Sequence, residues 1–414
     1  MENKVVPLKS HQVLRGLMDR YYQEAKEARG KGQPIAWCSG VAPTDLLSAM
    51  GFFVLFPENH AALCGSRKVS VDLCEESENH GYLRDLCSYA RNDLGSIFAG
   101  EETASPIGGI PRPDLLVISN NQCGTVAKWF EATSRLFGVP LIVIDVPFLH
   151  DGQGDDYEAR ALAYVKEQLQ EMASFLVGFT GRPFNYDRLQ ECVAITGTAA
   201  RLWQETLALA KHRPSPLTCF DIFIHIFPIM CLRGDPQGVE YYRLFNQEVR
   251  ERMAQGVAAV PGEKFRLYWD NIPIWYRLRE LSQKFASYSA CLVTAAYPYN
   301  WSLQGLDASR PLESVAKALT LPFINRGVGY RIDFIAGLVK DYQVDGLVMQ
   351  ASRTCKPFFL GQPDIVEEVE RRTGVPGVFI EGDMVDSRLY SDAQVENRIE
   401  AFMEVLEGRR LARG

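Results

Sequence analysis

Three cysteines stand where chemistry can be done. Cys87 lies in Leu86-Cys87-Ser88-Tyr89-Ala90-Arg91, Cys123 in Asn120-Asn121-Gln122-Cys123-Gly124-Thr125, and Cys355 in Ala351-Ser352-Arg353-Thr354-Cys355-Lys356. The last two follow short apolar runs, Leu115 to Ser119 and Gly346 to Met349, that read as buried parallel strands. Loops at the carboxyl ends of such strands are where open α/β sheets carry their chemistry. Thiols in two such loops, with a third on or just before a short helix, suggest a cluster ligated from far-apart segments. On a four-iron cluster, three thiolates would leave one iron open to a substrate. Cys123 stands among asparagines, a glutamine and a glycine, a poor place to pack as a hydrophobe. Arg353 and Lys356 flank Cys355, and their charge would lower a thiol pKa or offset a thiolate-ligated cluster. Cys87 taken alone reads more readily as a packing cysteine.

A serine and a carboxylate come next. Ser39 closes the run Pro34-Ile35-Ala36-Trp37-Cys38-Ser39-Gly40, again at the edge where such a sheet is active. Glu58 lies in Phe56-Pro57-Glu58-Asn59-His60-Ala61-Ala62, just after the apolar run Phe52 to Phe56. A carboxylate emerging from a strand into a dry cleft would have a raised pKa and suit proton transfer. A helix N-terminal acid complementing the dipole reads equally well. Both side chains are expected in the substrate cavity. His60 and His80 are weaker candidates, a surface histidine being the commoner case. Arg67, Lys68, Arg326, Arg331, Arg353 and Lys356 are available for the phosphates of an acyl-carrier nucleotide. The stretch Asn325-Arg326-Gly327-Val328-Gly329 lacks the third glycine of a dinucleotide fingerprint. With no P-loop, no His-Glu-x-x-His and no nucleophile elbow, nothing points to ATP held by this chain.

The elements that must position these groups are bounded by size and composition. The chain has 414 residues, 47% of them apolar, enough for more than one core. A net charge of −7 offers no global field for nucleic acid or anionic lipid. None of the ten cysteines is spaced as Cys-x-x-Cys, which removes the usual zinc-ribbon, thioredoxin and ferredoxin signatures. Cys192, Cys219, Cys231 and Cys291 lie within helical or strand patterns and read as small buried hydrophobes. Met1-Glu2-Asn3-Lys4-Val5-Val6-Pro7 has no apolar core of a secretory signal, so a cytoplasmic protein is expected. The apolar stretch Leu217 to Leu232 is too short to span a bilayer and reads as a buried helix pair.

Two segments share one layout. Pro113-Asp114 leads into Leu115 to Ser119, the Cys123 loop, a helical pattern from Thr125 to Phe137, Gly138-Val139-Pro140, and a strand from Leu141 to Asp145. Val344-Asp345 leads into Gly346 to Met349, the Cys355 loop, a helical pattern from Pro363 to Arg372, Gly374-Val375-Pro376, and a strand from Gly377 to Glu381. Each is a βαβ unit with an aspartate before its first strand and an acid five residues after its proline. Two such units about 230 residues apart predict two related Rossmann-like parallel-sheet domains. Ala290 to Ala296 reads as the first strand of the second domain. Helical periodicity dominates between them, over Glu158 to Phe175, Tyr186 to Leu209 and Gly238 to Gln255. The expected α/β architecture is an N-terminal domain over 1–155 with Cys87 and Cys123, a helical linking layer over 156–285, and a C-terminal domain over 286–414 with Cys355. Ser391 to Arg413 reads as a solvated docking helix.

Taken together, Pro57-Glu58-Asn59-His60-Ala61-Ala62, Cys87-Ser88-Tyr89-Ala90-Arg91, Asn121-Gln122-Cys123-Gly124-Thr125 with Lys128-Trp129-Phe130-Glu131, and Ser352-Arg353-Thr354-Cys355-Lys356 resemble the 2-hydroxyacyl-CoA dehydratase and benzoyl-CoA reductase family. The similarity covers nearly the whole chain and is that of the larger, substrate-binding subunit. It implies that Cys87, Cys123 and Cys355 hold a [4Fe-4S] cluster with one non-cysteine iron site. It also implies a paralogous second subunit and a separate iron-sulfur ATPase activator that delivers one electron at a time. Double-cubane relatives carry further cysteines; the corresponding place here, Thr294-Ala295-Ala296-Tyr297-Pro298, has none, which favours a single cluster. The implied reaction reduces the thioester carbonyl of an (R)-2-hydroxyacyl-CoA to a ketyl radical anion and expels the hydroxyl. The β-hydrogen is then lost to a base such as Glu58, the electron returns, and an enoyl-CoA leaves. The runner-up is ring reduction by an ATP-dependent benzoyl-CoA reductase subunit. A reading of another class is a non-catalytic iron-sulfur electron-transfer or assembly protein. Such a carrier more often closes its cluster with a fourth cysteine, and no fourth loop matches these three.

Overall fold

The computed structural model describes residues 4–412 and contains two parallel sheets of four strands each. The first holds β1 (Ile35–Cys38), β2 (Phe53–Leu55), β3 (Leu115–Ser119) and β4 (Leu141–Ile144), in the order β2-β1-β3-β4. The second holds β5 (Phe265–Asp270), β6 (Ala290–Ala295), β7 (Gly346–Ala351) and β8 (Gly377–Glu381), in the order β6-β5-β7-β8. Counted from its own first strand, each half has the same topology. β1, β3, β5 and β7 are buried along their whole length, which is why β1, β3 and the start of β7 read as apolar runs and not as alternating ones.

The paired sequence signals have paired structural causes. Asp114 accepts the Ile35 backbone N–H at 2.8 Å, and Asp345 accepts that of Arg266 at 2.8 Å. Each aspartate therefore satisfies the amide that would otherwise be orphaned at the start of its neighbouring strand. Gly138 and Gly374 end their helices in the left-handed region, with φ of 65° and 70°, where a Cβ would be strained. Pro140 and Pro376 then offer their carbonyls to Leu116 at 3.0 Å and Leu347 at 2.9 Å, which sets the register of the outer strand.

One boundary needs correction. The span 156–285, expected to be a helical linking region, contains β5, the strand that pairs with both β6 and β7 at the centre of the second sheet. A division at 286 thus runs through that sheet. Arg266 and Asp270 interrupt the apolar run Phe265-Arg266-Leu267-Tyr268-Trp269-Asp270, and that hid the strand. Arg266 tolerates full burial because it donates to Glu263 at 2.7 Å and to the carbonyls of Tyr342 and Ala210. The helices Asp155–Thr180, Tyr186–Leu209 and Pro236–Ala254 lie where their periodicity placed them. Asp155–Thr180 packs on Pro311–Thr320 of the second half, and Tyr186–Leu209 packs on Thr44–Ala49 of the first. This layer therefore touches both halves. Leu217 to Leu232 forms two short buried helices, Cys219–Ile224 and Phe227–Cys231. The tail helix Asp392–Leu411 docks on β8 through Val395, Ile399, Phe402, Met403 and Leu406. Among the described residues no helix is long and apolar enough to cross a membrane.

Candidate active site

Each of the three cysteines stands immediately before a helix: Cys87 before Ser88–Ala99, Cys123 before Gly124–Phe137 and Cys355 before Lys356–Phe359. The amides at those helix starts point at the sulfur atoms, and the Cys123 Sγ accepts the Val126 N–H at 3.3 Å. The thiols are close enough to act on one another. Burial, followed by the charge of Cys123, pushes Cys87 up to about 12. Cys355 is raised well above its ordinary value by burial and then by Cys87 and Cys123. Cys123 is pushed up to about 11, chiefly by burial. Ionising three such neighbouring thiols together would be costly unless iron offset their charge, so the donor set fits a thiolate-ligated cluster. Among the described residues no set of three or more His, Cys, Asp or Glu is gathered as around a single ion.

The cysteine loops are tied down in parallel ways. Asn120 donates to Asp145 at the end of β4, and Arg353 donates to Glu381 at the end of β8, at 2.9 Å. The acids five residues after each proline are therefore loop anchors. Thr354 donates to Asp383, which also accepts the Asp386 N–H at 2.9 Å. Asp386 in turn holds the fully buried Arg91 at 2.9 Å, one turn beyond Cys87, and Arg91 reaches Glu78 at 2.6 Å. This chain of partners runs from the Cys355 loop to the Cys87 helix. A second brace joins the Cys87 and Cys123 helices, the Trp129 indole donating to Asp93 at 3.0 Å.

A cavity of about 1090 Å³ lies between the halves. Glu58, on the first turn of the helix Pro57–Ser66, lines it together with Gln122, Tyr89, Tyr297, Trp301 and Phe358. The Glu58 carboxylate accepts the Gly40 backbone N–H and the Gln122 side-chain amide. Burial pushes its pKa up to about 7 despite those two hydrogen bonds. Gln122 also accepts the Val41 N–H at 3.3 Å, so the residue beside Cys123 links the cysteine loop to the acid. Ser39 is elsewhere. It is fully buried, accepts the Ser119 N–H on its hydroxyl at 3.4 Å, and is not among the cavity-lining residues. Its hydroxyl is absorbed in holding β1 to β3.

Sequence reasoning missed two tyrosines and a tryptophan. Tyr89 accepts the Trp275 indole N–H on its hydroxyl, and its environment includes Tyr297, Glu58 and Cys87. Tyr297 lies in the field of Glu58 and Cys355 and interacts with Trp301. The available signal was positional: Tyr89 is two residues from Cys87, and Tyr297 follows β6 as Glu58 follows β2.

The cations divide. Arg67 and Lys68, at the far end of the Pro57–Ser66 helix, line the cavity, as do Arg15 and Arg279 from other helices. Lys68 pairs with Glu280 at 3.1 Å, whereas Arg15, Arg67 and Arg279 have no carboxylate partner among the described residues. Arg326 pairs with Glu158, Arg331 donates to the Pro357 carbonyl at 3.1 Å, and Lys356 donates to the Arg353 carbonyl; these serve the fold. His60 is fully buried, pushed down to about 4 by that burial, with Nε2 2.7 Å from the Ser105 hydroxyl and 3.5 Å from the Cys64 sulfur. His80 is exposed and stacks on Phe98. Cys192, Cys219, Cys231 and Cys291 are buried packing residues.

The family model for 2-hydroxyglutaryl-CoA dehydratase, D-component, matches residues 39–406. The alpha subunit of lactoyl-CoA dehydratase from Anaerotignum propionicum is 31% identical over 417 residues, covering 98% of each chain. The alpha subunit of (R)-2-hydroxyisocaproyl-CoA dehydratase from Clostridioides difficile is 32% identical over 404 residues, 96% of each chain. A benzoyl-CoA reductase subunit from Thauera aromatica is 31% identical over 368 residues, 86% of this chain and 84% of that one.

Proposed function

Because the chain belongs to the 2-hydroxyglutaryl-CoA dehydratase D-component family, we propose that it is the substrate-binding subunit of a 2-hydroxyacyl-CoA dehydratase, removing water from an (R)-2-hydroxyacyl-CoA to give an enoyl-CoA. The observation that carries this reading is a buried carboxylate in the cavity, within the field of Cys123, and three mutually coupled thiols drawn from both halves; the thiols themselves do not line that cavity. Cys87, Cys123 and Cys355 would hold a [4Fe-4S] cluster with one non-cysteine iron site. Bound there, such a cluster supplies one-electron chemistry and an open coordination position.

The chain's own residues do the rest. Glu58 titrates near pH 7, so its carboxylate both takes and releases a proton readily under ordinary conditions. It removes the β-proton of the substrate at an Oε while the Gly40 and Gln122 amides hold it in place. Ser39 acts indirectly, fixing the end of β1 so that the adjacent Gly40 amide faces Glu58. From Glu58 to Arg67 the helix rises about 13 Å. Arg67 and Lys68 at that distant end, with Arg15 and Arg279 also on the lining, suit the phosphates of the CoA portion, and the apolar walls suit its arm. A paralogous second subunit and an iron-sulfur ATPase activator complete the system, in line with relatives named as alpha subunits.

The aromatic walls support a second reading, a subunit of an ATP-dependent benzoyl-CoA reductase. Anaerobic purification with the partner and reduced activator, followed by assay of 2-hydroxyacyl-CoAs beside benzoyl-CoA, separates the two. Enoyl-CoA formation is the expected result. Ring reduction of benzoyl-CoA without dehydration of any hydroxyacyl thioester would overturn it.

A further inference from the structure

The end of the cavity at Glu58 is walled by four aromatic rings. A Cβ at Gly40 would lie 2.6 Å from the Trp301 ring and 3.0 Å from the Glu58 Oε2, so ring and carboxylate border the same space. The Tyr297 ring centroid is 6.3 Å from that of Trp301, 6.1 Å from Phe223 and 6.2 Å from Phe358. All four side chains line the cavity, and Phe358 is three residues beyond Cys355.

Arg67 and Lys68 stand at the far end of the Pro57–Ser66 helix, about 13 Å from Glu58. Arg233 lies over the Trp301 ring at 5.7 Å but does not line the cavity. It donates to the carbonyls of Gly40 at 2.6 Å, Ala42 at 3.0 Å and Ile229 at 3.3 Å. Of the side-chain amides here, Gln122 bonds Glu58 and Val41, Asn300 bonds the Ile324 N–H and the Tyr297 carbonyl, and Asn59 accepts the Tyr22 hydroxyl at 2.6 Å. A carboxylate on the acyl chain placed against this wall would meet apolar rings and the like-charged Glu58 carboxylate. An aromatic or branched alkyl group would instead fill the wall and gain ring contacts.

Resting on the dehydratase reading, we infer that the acyl end of the substrate is uncharged, apolar and of aryl or branched-alkyl size, and that Phe223, Tyr297, Trp301 and Phe358 select it. The assembled enzyme without its activator turns nothing over, so affinities are measurable by isothermal titration. The probes are 2-hydroxy-3-phenylpropanoyl-CoA, lactoyl-CoA, 2-hydroxyglutaryl-CoA and free CoA. The phenyl thioester should bind roughly tenfold or more tighter than lactoyl-CoA, and 2-hydroxyglutaryl-CoA no tighter than CoA itself. Tighter binding of 2-hydroxyglutaryl-CoA than of the phenyl thioester overturns the inference. Phe223→Leu and Phe358→Leu, both checked for folding by circular dichroism, should each narrow the phenyl-to-lactoyl ratio about fivefold. An unchanged ratio in both variants also overturns it. Addition of reduced activator separates the two levels. Dehydration with the wrong affinity order sinks the selection alone, whereas the expected order without any dehydration supports the selection and sinks the dehydratase reading.

Discussion

Each half of the molecule lays its strands in the same order, pins its first strand with an aspartate, and carries a cysteine loop after its third strand. They part at the loop after the second strand. There the N-terminal half places Pro57 and Glu58, and the C-terminal half places Tyr297 and Pro298. One side thus contributes a carboxylate poised near neutrality and the other an aromatic wall. The features common to both are those a parallel sheet imposes: an amide to satisfy, a helix to stop, a loop to anchor. The features that differ face the cavity, where substrate chemistry and not sheet geometry sets the requirement.

If the two cysteine loops are equivalent, serine replacements in either half should do equal damage. Cys123→Ser and Cys355→Ser, like Cys87→Ser, should each remove essentially all iron-sulfur absorbance and turnover, and Cys192→Ser neither. An anaerobic spectrum that survives any of the three would break the equivalence. At the divergent loop the halves should behave differently. Glu58→Gln should slow turnover by roughly two or more orders of magnitude with the spectrum intact. Tyr297→Phe keeps the ring and should cost less than about tenfold. Equal losses would mean the tyrosine hydroxyl also moves a proton.

The halves are joined at Asp386, whose partners Arg91 and Arg388 leave it no exposed atom to spare. Asp386→Ala leaves the buried Arg91 only Glu78 and the Leu86 carbonyl, removes a partner of Arg388, and should destabilise the protein by about 2 kcal/mol in denaturant titration, with iron lost alongside. Asp93 gives a pH test of the brace within the first half. Burial raises its carboxyl from 3.8 to about 7. The folded chain therefore keeps a proton that the unfolded chain releases near pH 4, and the stability this confers is lost as pH rises to about 7, at about 1.4 kcal/mol per pH unit. Asp93→Asn cannot ionise, so its melting temperature relative to the parent should climb from pH 5 to pH 8. A constant difference would show that this carboxyl does not titrate in that window. The smallest effect is expected at the strand pins. Asp114→Ala and Asp345→Ala should each cost about 1 kcal/mol, and unequal losses would mean the two sheets differ in how they are held.

Much of this architecture is local and was readable. The βαβ units, the Gly-Val-Pro turns, the cysteine loops and the position of Glu58 follow from apolar runs, left-handed glycines and proline, each acting over a few residues. β5 was not readable, since Arg266 and Asp270 look disruptive until the Glu263 carboxylate and the carbonyls around Arg266 are in place. Ser39 looked like a cavity residue because strand ends face the active edge, but a hydroxyl beside a neighbouring strand's amide is used there first. The sequence by itself determined two matching parallel sheets, three chemically conspicuous thiols and a candidate acid. Only the tertiary structure decided that the thiols come within reach of one another's charge, that Glu58 is buried at a cavity wall with its pKa raised to about 7, and that Tyr89, Tyr297 and Trp301 line the same cavity. These are contacts between segments up to hundreds of residues apart. Desolvation and charge coupling act only once packing has removed the water between them.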